Sequence, residues 1–191
     1  MTPEEVRGLL EEVGALLHGH FILSSGLHSP EYWQCARLIE RPEVCERVSR
    51  ALAERASDLG AEVVLAPALG AVVFGYEVAK FLGARYIFAE RGEGGRMTLR
   101  RGFFVNPGER ALIVEDVVTT GGTTKELLGL VREAEGEPCG VVAIVDRSGG
   151  RVSFEVPFRA LLTVEAVAYK PEECPLCKRG VPAEKPGSRK G

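Results

Sequence analysis

The segment from Leu112 to Thr123, reading LIVEDVVTTGGT, contains the residues whose types and spacing best suit chemistry. An apolar run leads to two adjacent carboxylates, Glu115 and Asp116, and a loop of threonines and glycines follows two valines later. Continuous apolar runs are typical of strands buried on both faces of a parallel sheet. Gly121 and Gly122 permit positive φ angles and a close backbone approach, so several N–H groups can point at one anion. The segment therefore predicts a phosphate-binding loop.

The residues around this loop add a helix start and a diol-binding edge. Thr123 is followed three residues later by Glu126, which is the signature of a capping box and predicts a helix whose dipole favours an anion. Glu115 and Asp116 would repel a phosphate, but two acceptors beside it suit the 2′- and 3′-hydroxyls of a ribose. An acidic strand end with a glycine-rich turn is the alternative, and it explains each feature singly but not their order.

This segment resembles the signature of type I phosphoribosyltransferases, which use 5-phosphoribosyl-1-pyrophosphate (PRPP) and Mg²⁺ to place ribose 5-phosphate on a nitrogenous base. The resemblance implies that Glu115 and Asp116 hold the ribose diol. It implies a Mg²⁺ cofactor that bridges pyrophosphate and ribose hydroxyls, with no protein residue needed as a metal ligand. It also implies that the 5′-phosphate is wrapped by a segment that we call the phosphate loop: Val117, Val118, Thr119, Thr120, Gly121, Gly122 and Thr123. Neither a G-x-x-x-x-G-K-[ST] nor a G-x-G-x-x-G pattern is present, which argues against P-loop and dinucleotide-binding proteins.

The N-terminal part resembles the orotate phosphoribosyltransferase family. Residues 21–33 fit its F-x-L-x-S-G-x-x-S-P-x-aromatic-aromatic pattern, and the resemblance implies that Tyr32 and Trp33 stack on the pyrimidine ring. It further implies that Arg147, which follows the predicted strand ending at Asp146, faces the orotate carboxylate, and that Thr119 contacts the acceptor ring. A hydrophobic hairpin packed on the core is the alternative for the aromatic pair.

A basic, glycine-rich stretch, which we call the flap, spans residues 90–101 and contains four arginines. Many relatives carry lysines and a histidine here that close over pyrophosphate, whereas this stretch has neither residue type. By alignment with the family, Arg91 is expected to contact PRPP and to act in catalysis together with Arg96, which is the candidate to replace the missing lysine. A solvated basic loop is the alternative.

Composition limits the other possibilities. A length of 191 residues suits one domain with a sizeable core, and a net charge of −3 argues against a nucleic-acid-binding platform. The acidic N-terminus does not suit a signal peptide, and no apolar run is long enough to span a bilayer, so no membrane partner is expected. Five cysteines without a framework spacing suit a reducing cytoplasm, which is the predicted location.

Short apolar strands alternate with helices, which predicts an α/β fold. The predicted helices span residues 3–17, 42–59, 70–82 and 123–135, and the predicted strands span 62–66, 85–90, 111–117, 139–146 and 160–164. A strand pair around residues 20–36 should form a small N-terminal lid, and a hairpin is expected around Asn106-Pro107-Gly108. We therefore expect a single-domain type I phosphoribosyltransferase fold over residues 1–170, with a central, mostly parallel sheet flanked by helices.

Residues 171–191 form a separate tail that contains a C-x-x-C motif, Cys174 to Cys177. The favoured interpretation is a turn within a partly disordered tail. A structural zinc site, within one chain or shared across a dimer, is an open alternative that lacks two further ligands, and a redox pair is another. Three histidines, His18, His20 and His28, cluster near the lid, where capping or acceptor contacts are favoured over metal ligation.

Taken together, the resemblance predicts an orotate phosphoribosyltransferase that forms orotidine 5′-monophosphate and pyrophosphate in pyrimidine (UMP) biosynthesis. Relatives are dimers whose flap reaches the neighbouring site, so a homodimer is expected. Three alternatives stay open: a phosphoribosyltransferase with a purine acceptor, a PRPP-sensing regulator that binds nucleic acid, and a competence-type protein. The last usually carries its cysteine motif at the N-terminus.

Overall fold

The computed structural model of the chain describes residues 1–23 and 25–186, so the predicted tail is described up to residue 186. The helices are α1 (Pro3–Glu12), α2 (Pro42–Ala56), α3 (Val72–Leu82), α4 (Gly122–Glu133) and α5 (Pro175–Lys178), with short 3-10 turns at Cys35–Glu40 and Glu93–Gly95. The strands are β1 (Leu16–Ile22), β2 (His28–Trp33), β3 (Val63–Pro67), β4 (Arg85–Arg91), β5 (Met97–Leu99), β6 (Arg110–Val118), β7 (Glu137–Asp146) and β8 (Phe158–Thr163). All the predicted helices and strands are present, with ends that differ by a few residues.

Six strands form the central sheet in the order β5-β4-β3-β6-β7-β8. All neighbouring pairs are parallel except β4 and β5, which are antiparallel. The predicted mostly parallel sheet is therefore confirmed. The carboxyl ends of the parallel strands meet at one edge, where ligands bind in open α/β sheets.

The sheet is covered on both faces, which explains the continuous apolar runs in its central strands. Leu112 and Val114 belong to the core under α1, α2 and α3, whereas Ile113 between them belongs to the core under α4. All three side chains are fully buried. Because alternate side chains of a strand point to opposite faces, a strand between two helical layers must be apolar at successive positions.

The lid is a two-stranded antiparallel sheet, β1–β2, as the sequence predicts. Its first strand starts earlier than expected, because α1 ends at Glu12 rather than continuing to residue 17. Gly14 follows with a φ of 69°, a conformation that ends a helix readily in glycine. The chain then reverses into β1 at Leu16.

Two local predictions are wrong. Helix α4 begins at Gly122 with Gly121 as its N-cap and has no side-chain cap, so Thr123 and Glu126 do not form a capping box. The Glu126 carboxylate instead accepts hydrogen bonds from Arg91 and from the N–H of Met97. Asn106 does begin a turn, but β6 pairs with β3 and β7 and no strand of the sheet precedes it as a hairpin partner.

The tail and the residues just before it pack on the lid through backbone hydrogen bonds. The N–H of His28 donates to the carbonyl of Tyr169, and the N–H of Tyr169 donates to the carbonyl of His28, both at 2.8 Å. Glu184 lies beside β1, where its N–H donates to the carbonyl of His20 and its own carbonyl accepts from Ile22. The predicted domain boundary near residue 170 stays a prediction. Within residues 1–23 and 25–186, no helix is long and apolar enough to cross a membrane.

Candidate active site

A cavity of about 370 Å³ opens at the carboxyl end of β6. All the residues expected to bind PRPP line it: Glu115, Asp116, Val117, Val118, Thr119, Thr120, Gly121, Gly122, Thr123 and Arg91. The turn after β3 adds Ala68 and Gly70 to the opposite wall. The fold thus joins the carboxylate pair, the phosphate loop and one flap arginine around a single polar cavity.

The two carboxylates at the end of β6 are held in an environment that disfavours charge. Burial, together with the neighbouring Asp116, raises the pKa of Glu115 to about 8. Burial likewise raises the pKa of Asp116, opposed by the N–H of Val117, which donates to its Oδ1 at 2.8 Å. The Thr124 hydroxyl donates to Glu115 Oε1 at 3.1 Å. Such a pair gains stability from further hydrogen-bond donors, which is what a ribose diol supplies.

The turn after β3 approaches Asp116 so closely that only glycine fits at position 70. A Cβ atom added to Gly70 would lie 2.6 Å from Asp116 Oδ2. Glycine therefore lets the backbone of this turn form a cavity wall directly against the carboxylate.

The structure separates the two flap arginines. Arg91 lines the cavity and donates to both carboxylate oxygens of Glu126 at 2.8 Å and to Thr123 Oγ1 at 3.0 Å. Arg96 lies outside the lining of this cavity, with an exposed side chain 3.6 Å from Glu133. In the described chain, Arg91 is thus the flap cation that reaches its own phosphate loop.

A second cavity of about 700 Å³ adjoins the first and shares Thr119 and Thr120 with it. The lid supplies Tyr32 to its lining, and Arg147 follows β7. The remaining lining residues are Ile22, Leu23 and Ser25 from the lid and Ala166, Ala168, Lys185 and Pro186 from the C-terminal part of the chain. Sequence reasoning did not predict that the tail forms a wall of this cavity.

Arg147 provides an unsatisfied cation in the second cavity. Its Nε is buried and has no hydrogen-bond partner within residues 1–23 and 25–186. Burial lowers the pKa of its guanidinium, partly offset by the negative potential of Glu31 and Cys35. The preceding Asp146 fixes the loop, because its carboxylate accepts from the N–H groups of Ser148 and Gly150. A buried donor without a partner favours an anionic ligand with a carboxylate-like acceptor.

Trp33 does not line this cavity, in contrast to the expectation that it stacks with Tyr32 on the acceptor. It is 8% exposed and belongs to the core under α1, with the guanidinium of Arg7 5.7 Å from its ring. Successive residues of a strand point to opposite faces, so Tyr32 and Trp33 in β2 cannot both face one ring. The period-two pattern of the strand could have revealed this.

The structure also brings together four residues that sequence reasoning left apart. The ligand atoms of His20, His28, Cys174 and Cys177 all lie within 4.8 Å of one another. We call this group the His/Cys cluster. The C-x-x-C motif was visible in the sequence, but its two histidine neighbours lie more than a hundred positions earlier.

Comparisons with known proteins identify the family. The family model of the phosphoribosyl transferase domain matches residues 37–174. An orotate phosphoribosyltransferase of Thermotoga petrophila is 55% identical over 184 residues, covering 96% of this chain and 98% of the relative. That of Pelotomaculum thermopropionicum is 51% identical over 190 residues and covers 100% of both chains.

Solved structures show the same fold. An orotate phosphoribosyltransferase from Aeropyrum pernix superposes with a TM-score of 0.70 at 24% identity, covering 84% of this chain and 94% of the other. An adenine phosphoribosyltransferase from Thermoanaerobacter pseudethanolicus gives a TM-score of 0.62 at 16% identity, covering 70% and 88%. The chain therefore belongs to the phosphoribosyltransferases. Within that class its full-length similarity makes it a member of the orotate phosphoribosyltransferase family.

Proposed function

We propose that the protein transfers ribose 5-phosphate from PRPP to orotate, forming orotidine 5′-monophosphate and pyrophosphate in de novo pyrimidine biosynthesis. One observation carries the proposal: the cavity assigned to PRPP adjoins a second cavity, and the second contains Arg147, whose buried Nε has no hydrogen-bond partner among the described residues. Thr119 and Thr120 line both cavities, so the ribose C1 and the acceptor nitrogen would meet beside them. The activity is that of a glycosyltransferase.

PRPP is assigned to the first cavity. Its 5′-phosphate would accept hydrogen bonds from the N–H groups of the phosphate loop and interact with the N-terminus of α4. Its 2′- and 3′-hydroxyls would donate to Glu115 and Asp116. In this position the carboxylates also face the positive charge that develops on the ribose as the C1–pyrophosphate bond breaks.

Orotate is assigned to the second cavity. The Arg147 guanidinium would donate to its carboxylate, the group that distinguishes orotate from uracil, and Tyr32 would pack on the ring. This pairing aims N1 of orotate at C1 of the ribose. As the C1–O bond breaks and pyrophosphate leaves with its electron pair, N1 forms a bond to C1 on the opposite face and loses its proton to solvent. Positioning supplies much of the rate enhancement.

The chemistry of the first cavity fits a Mg²⁺ cofactor. The buried Glu115 and the partly buried Asp116 both have raised pKa values and stand beside the place assigned to the polyanionic substrate, and a hard cation prefers oxygen donors. Glu115 and Asp116 would orient the ribose hydroxyls beside the place where Mg²⁺ would bind. When bound, Mg²⁺ would neutralise negative charge on the pyrophosphate.

The two flap arginines are proposed to act on pyrophosphate, with Arg91 at its own site. Arg96 is exposed and removed from that cavity, which suits a role at the site of a neighbouring subunit in a homodimer. A cytoplasmic location is also proposed, because the cysteines are free and free cysteines are typical of a reducing compartment.

Product analysis tests the proposed function. Purified protein incubated with PRPP, Mg²⁺ and orotate should form orotidine 5′-monophosphate and pyrophosphate in equal amounts, measured by mass spectrometry and a pyrophosphate assay. Asp116→Asn, which keeps the size of the side chain and removes its charge, should lower both products equally. Pyrophosphate release without the nucleotide would indicate PRPP hydrolysis and contradict the proposal.

A further inference from the structure

We propose that His20, His28, Cys174 and Cys177 bind one Zn²⁺ ion, which fastens the C-terminal tail to the lid. His20 lies in β1, His28 begins β2, and the two cysteines flank the start of α5. The site is separate from the residues assigned to PRPP, orotate and Mg²⁺. Two imidazoles and two thiolates form a ligand set typical of structural zinc sites.

The three sulfur–nitrogen separations within the cluster are close to those of a tetrahedral site. With zinc bonds of about 2.3 Å to sulfur and 2.0–2.1 Å to nitrogen, tetrahedral geometry separates the ligand atoms by roughly 3.3–3.8 Å. Cys177 Sγ lies 3.2 Å from His28 Nδ1 and 3.7 Å from His20 Nε2, and Cys174 Sγ lies 3.5 Å from the same Nε2. The two ring nitrogens are 2.8 Å apart, which is closer than in a tetrahedral zinc site, so the two rings would move slightly apart when the metal binds. Both thiols are free, so no disulfide occupies the motif.

A hydrogen bond at the far side of His20 orients this ring for metal binding. Its Nδ1 lies 2.7 Å from the carbonyl oxygen of Val181. A carbonyl oxygen only accepts, so Nδ1 must carry the proton and the neutral ring presents a lone pair at Nε2. Metal-bound histidines commonly donate their other N–H to a carbonyl in this way.

The cysteine motif has the local structure of a thiolate ligand pair. The backbone N–H groups of Leu176 and Cys177 donate hydrogen bonds to the sulfur of Cys174. Cys174 is fully buried, as are His20 and His28 apart from 4% and 8% of their surfaces. Four protein ligands leave no open position, so the site is structural rather than catalytic.

Backbone pairing places the tail where the metal would hold it. The carbonyl of His20 accepts from the N–H of Glu184, and His28 pairs with Tyr169 through both backbone groups. The backbone of His28 is thus hydrogen-bonded to the stretch before the two cysteines, and the backbone of His20 to the stretch after them. A metal at the cluster would tie these stretches and both lid strands together, in a part of the fold outside the main core.

The position of the tail gives the site a consequence for the acceptor cavity. Lys185 and Pro186 of the tail line this cavity, as do Ala166 and Ala168 before it, together with Tyr32 and Arg147. Loss of the metal would loosen this wall and raise the KM for orotate more than the KM for PRPP. This consequence rests on the proposed function, whereas metal binding does not.

Metal analysis of the purified, untagged full chain tests the proposal. Elemental analysis should find one zinc per chain that survives dialysis. Replacement by Co²⁺ should give the strong visible absorption of a tetrahedral, thiolate-bound ion. Less than about a tenth of an equivalent of zinc, no increase in Tm on addition of Zn²⁺, or a Cys174–Cys177 disulfide in protein prepared without air would each overturn it.

Variants locate the metal and separate binding from folding. Cys177→Ser and His28→Gln should each lose the bound zinc and lower Tm by more than about 5 °C. Cys139→Ala and His18→Gln remove the same residue types outside the cluster and should keep one zinc per chain. If a cluster variant does not fold, the cobalt spectrum of the wild-type chain decides whether the cluster binds a metal ion. Retention of zinc by both cluster variants would refute the assignment, whatever the turnover.

Discussion

Arg91 is bound to Glu126 through two hydrogen bonds of 2.8 Å, made by one guanidinium nitrogen to both carboxylate oxygens. Glu126 lies in the first turns of α4, so this ion pair connects the flap to the helix that follows the phosphate loop. A second nitrogen of the same guanidinium donates to Thr123 Oγ1 at 3.0 Å. A flap cation is therefore already held at the edge of the cavity assigned to PRPP.

Replacing Arg91 tests its proposed contact with PRPP. Arg91→Ala should lower kcat/KM for PRPP by roughly 10- to 100-fold, because a charge-assisted contact to phosphate is lost. Steady-state kinetics with PRPP varied at saturating orotate measures the effect. Arg100→Ala removes a neighbouring flap arginine that does not line the cavity and should change kcat/KM less than threefold. Equal effects of the two variants would argue against a specific role of Arg91.

Removing the Arg147 guanidinium tests the acceptor assignment. Arg147→Ala should lower kcat/KM for orotate by about 2–4 kcal/mol of transition-state stabilisation, with little change in PRPP affinity. Arg151→Ala, an exposed arginine paired with Glu165, is the matched control. If Arg147→Ala keeps the wild-type kcat/KM for orotate, the carboxylate is bound elsewhere.

Subunit mixing tests the role of Arg96 in a neighbouring site. Arg96→Ala and Asp116→Asn should each be nearly inactive alone. If the flap serves the partner's site, mixed dimers contain one site that lacks both groups and one intact site, so mixing should restore activity. No recovery in mixtures shown to exchange subunits would place Arg96 at its own site or outside catalysis.

The pKa of Glu115 predicts how stability depends on pH. Its value of about 8 in the folded chain exceeds that of an ordinary carboxyl, so the folded state retains a proton that the unfolded state has lost. The free energy of unfolding without ligands should therefore fall as the pH rises from about 4.5 through about 8.

Glu115→Gln should flatten this slope and make the ligand-free protein more stable near pH 8, by on the order of 1–3 kcal/mol. Urea denaturation at several pH values measures it. The same variant should bind PRPP more weakly, because an amide is a poorer acceptor for the ribose diol. Glu155→Gln, on the surface beside Arg132, should keep the wild-type slope. An unchanged slope in Glu115→Gln would show that another group causes the pH dependence.

The close approach of Gly70 to Asp116 predicts that a single methyl group disturbs the site. Gly70→Ala should displace the Asp116 carboxylate and lower kcat/KM for PRPP at least about tenfold. Gly129→Ala adds the same methyl within α4, where nothing lies within 4 Å, and should stabilise the protein by roughly 0.5–1 kcal/mol without loss of activity. Full activity in Gly70→Ala would mean that the turn can shift without cost.

The first cavity was predictable because its residues are contiguous in the sequence. The run from Glu115 to Thr123 ends one strand and starts one helix, so local structure alone gathers these residues. The same is true of Arg147, which follows the adjacent strand β7. Parallel strands bring their carboxyl ends to one edge of the sheet, and that rule is sufficient to place Arg147 next to the phosphate loop.

The remaining features depend on contacts between distant segments. Whether Glu126 caps α4 or binds Arg91 depends on where the flap lies, which the capping-box pattern does not contain. The His/Cys cluster forms only because the tail returns to the lid, about 150 positions after His20. The position of Trp33, by contrast, could have been predicted locally. Side chains alternate between the two faces of β2, but the resemblance of the aromatic pair to the family pattern suggested that both rings face the acceptor.

Pyrophosphate release from PRPP and Mg²⁺ with orotate, uracil, hypoxanthine or adenine as the acceptor tests the central claim most directly. Orotate alone should support turnover, because only orotate carries a carboxylate for the unpartnered Arg147 in the cavity beside the phosphate loop. Release with a purine but not with orotate would keep the PRPP site and contradict the acceptor assignment. Release with none of the four bases would contradict a catalytic role and favour a PRPP sensor.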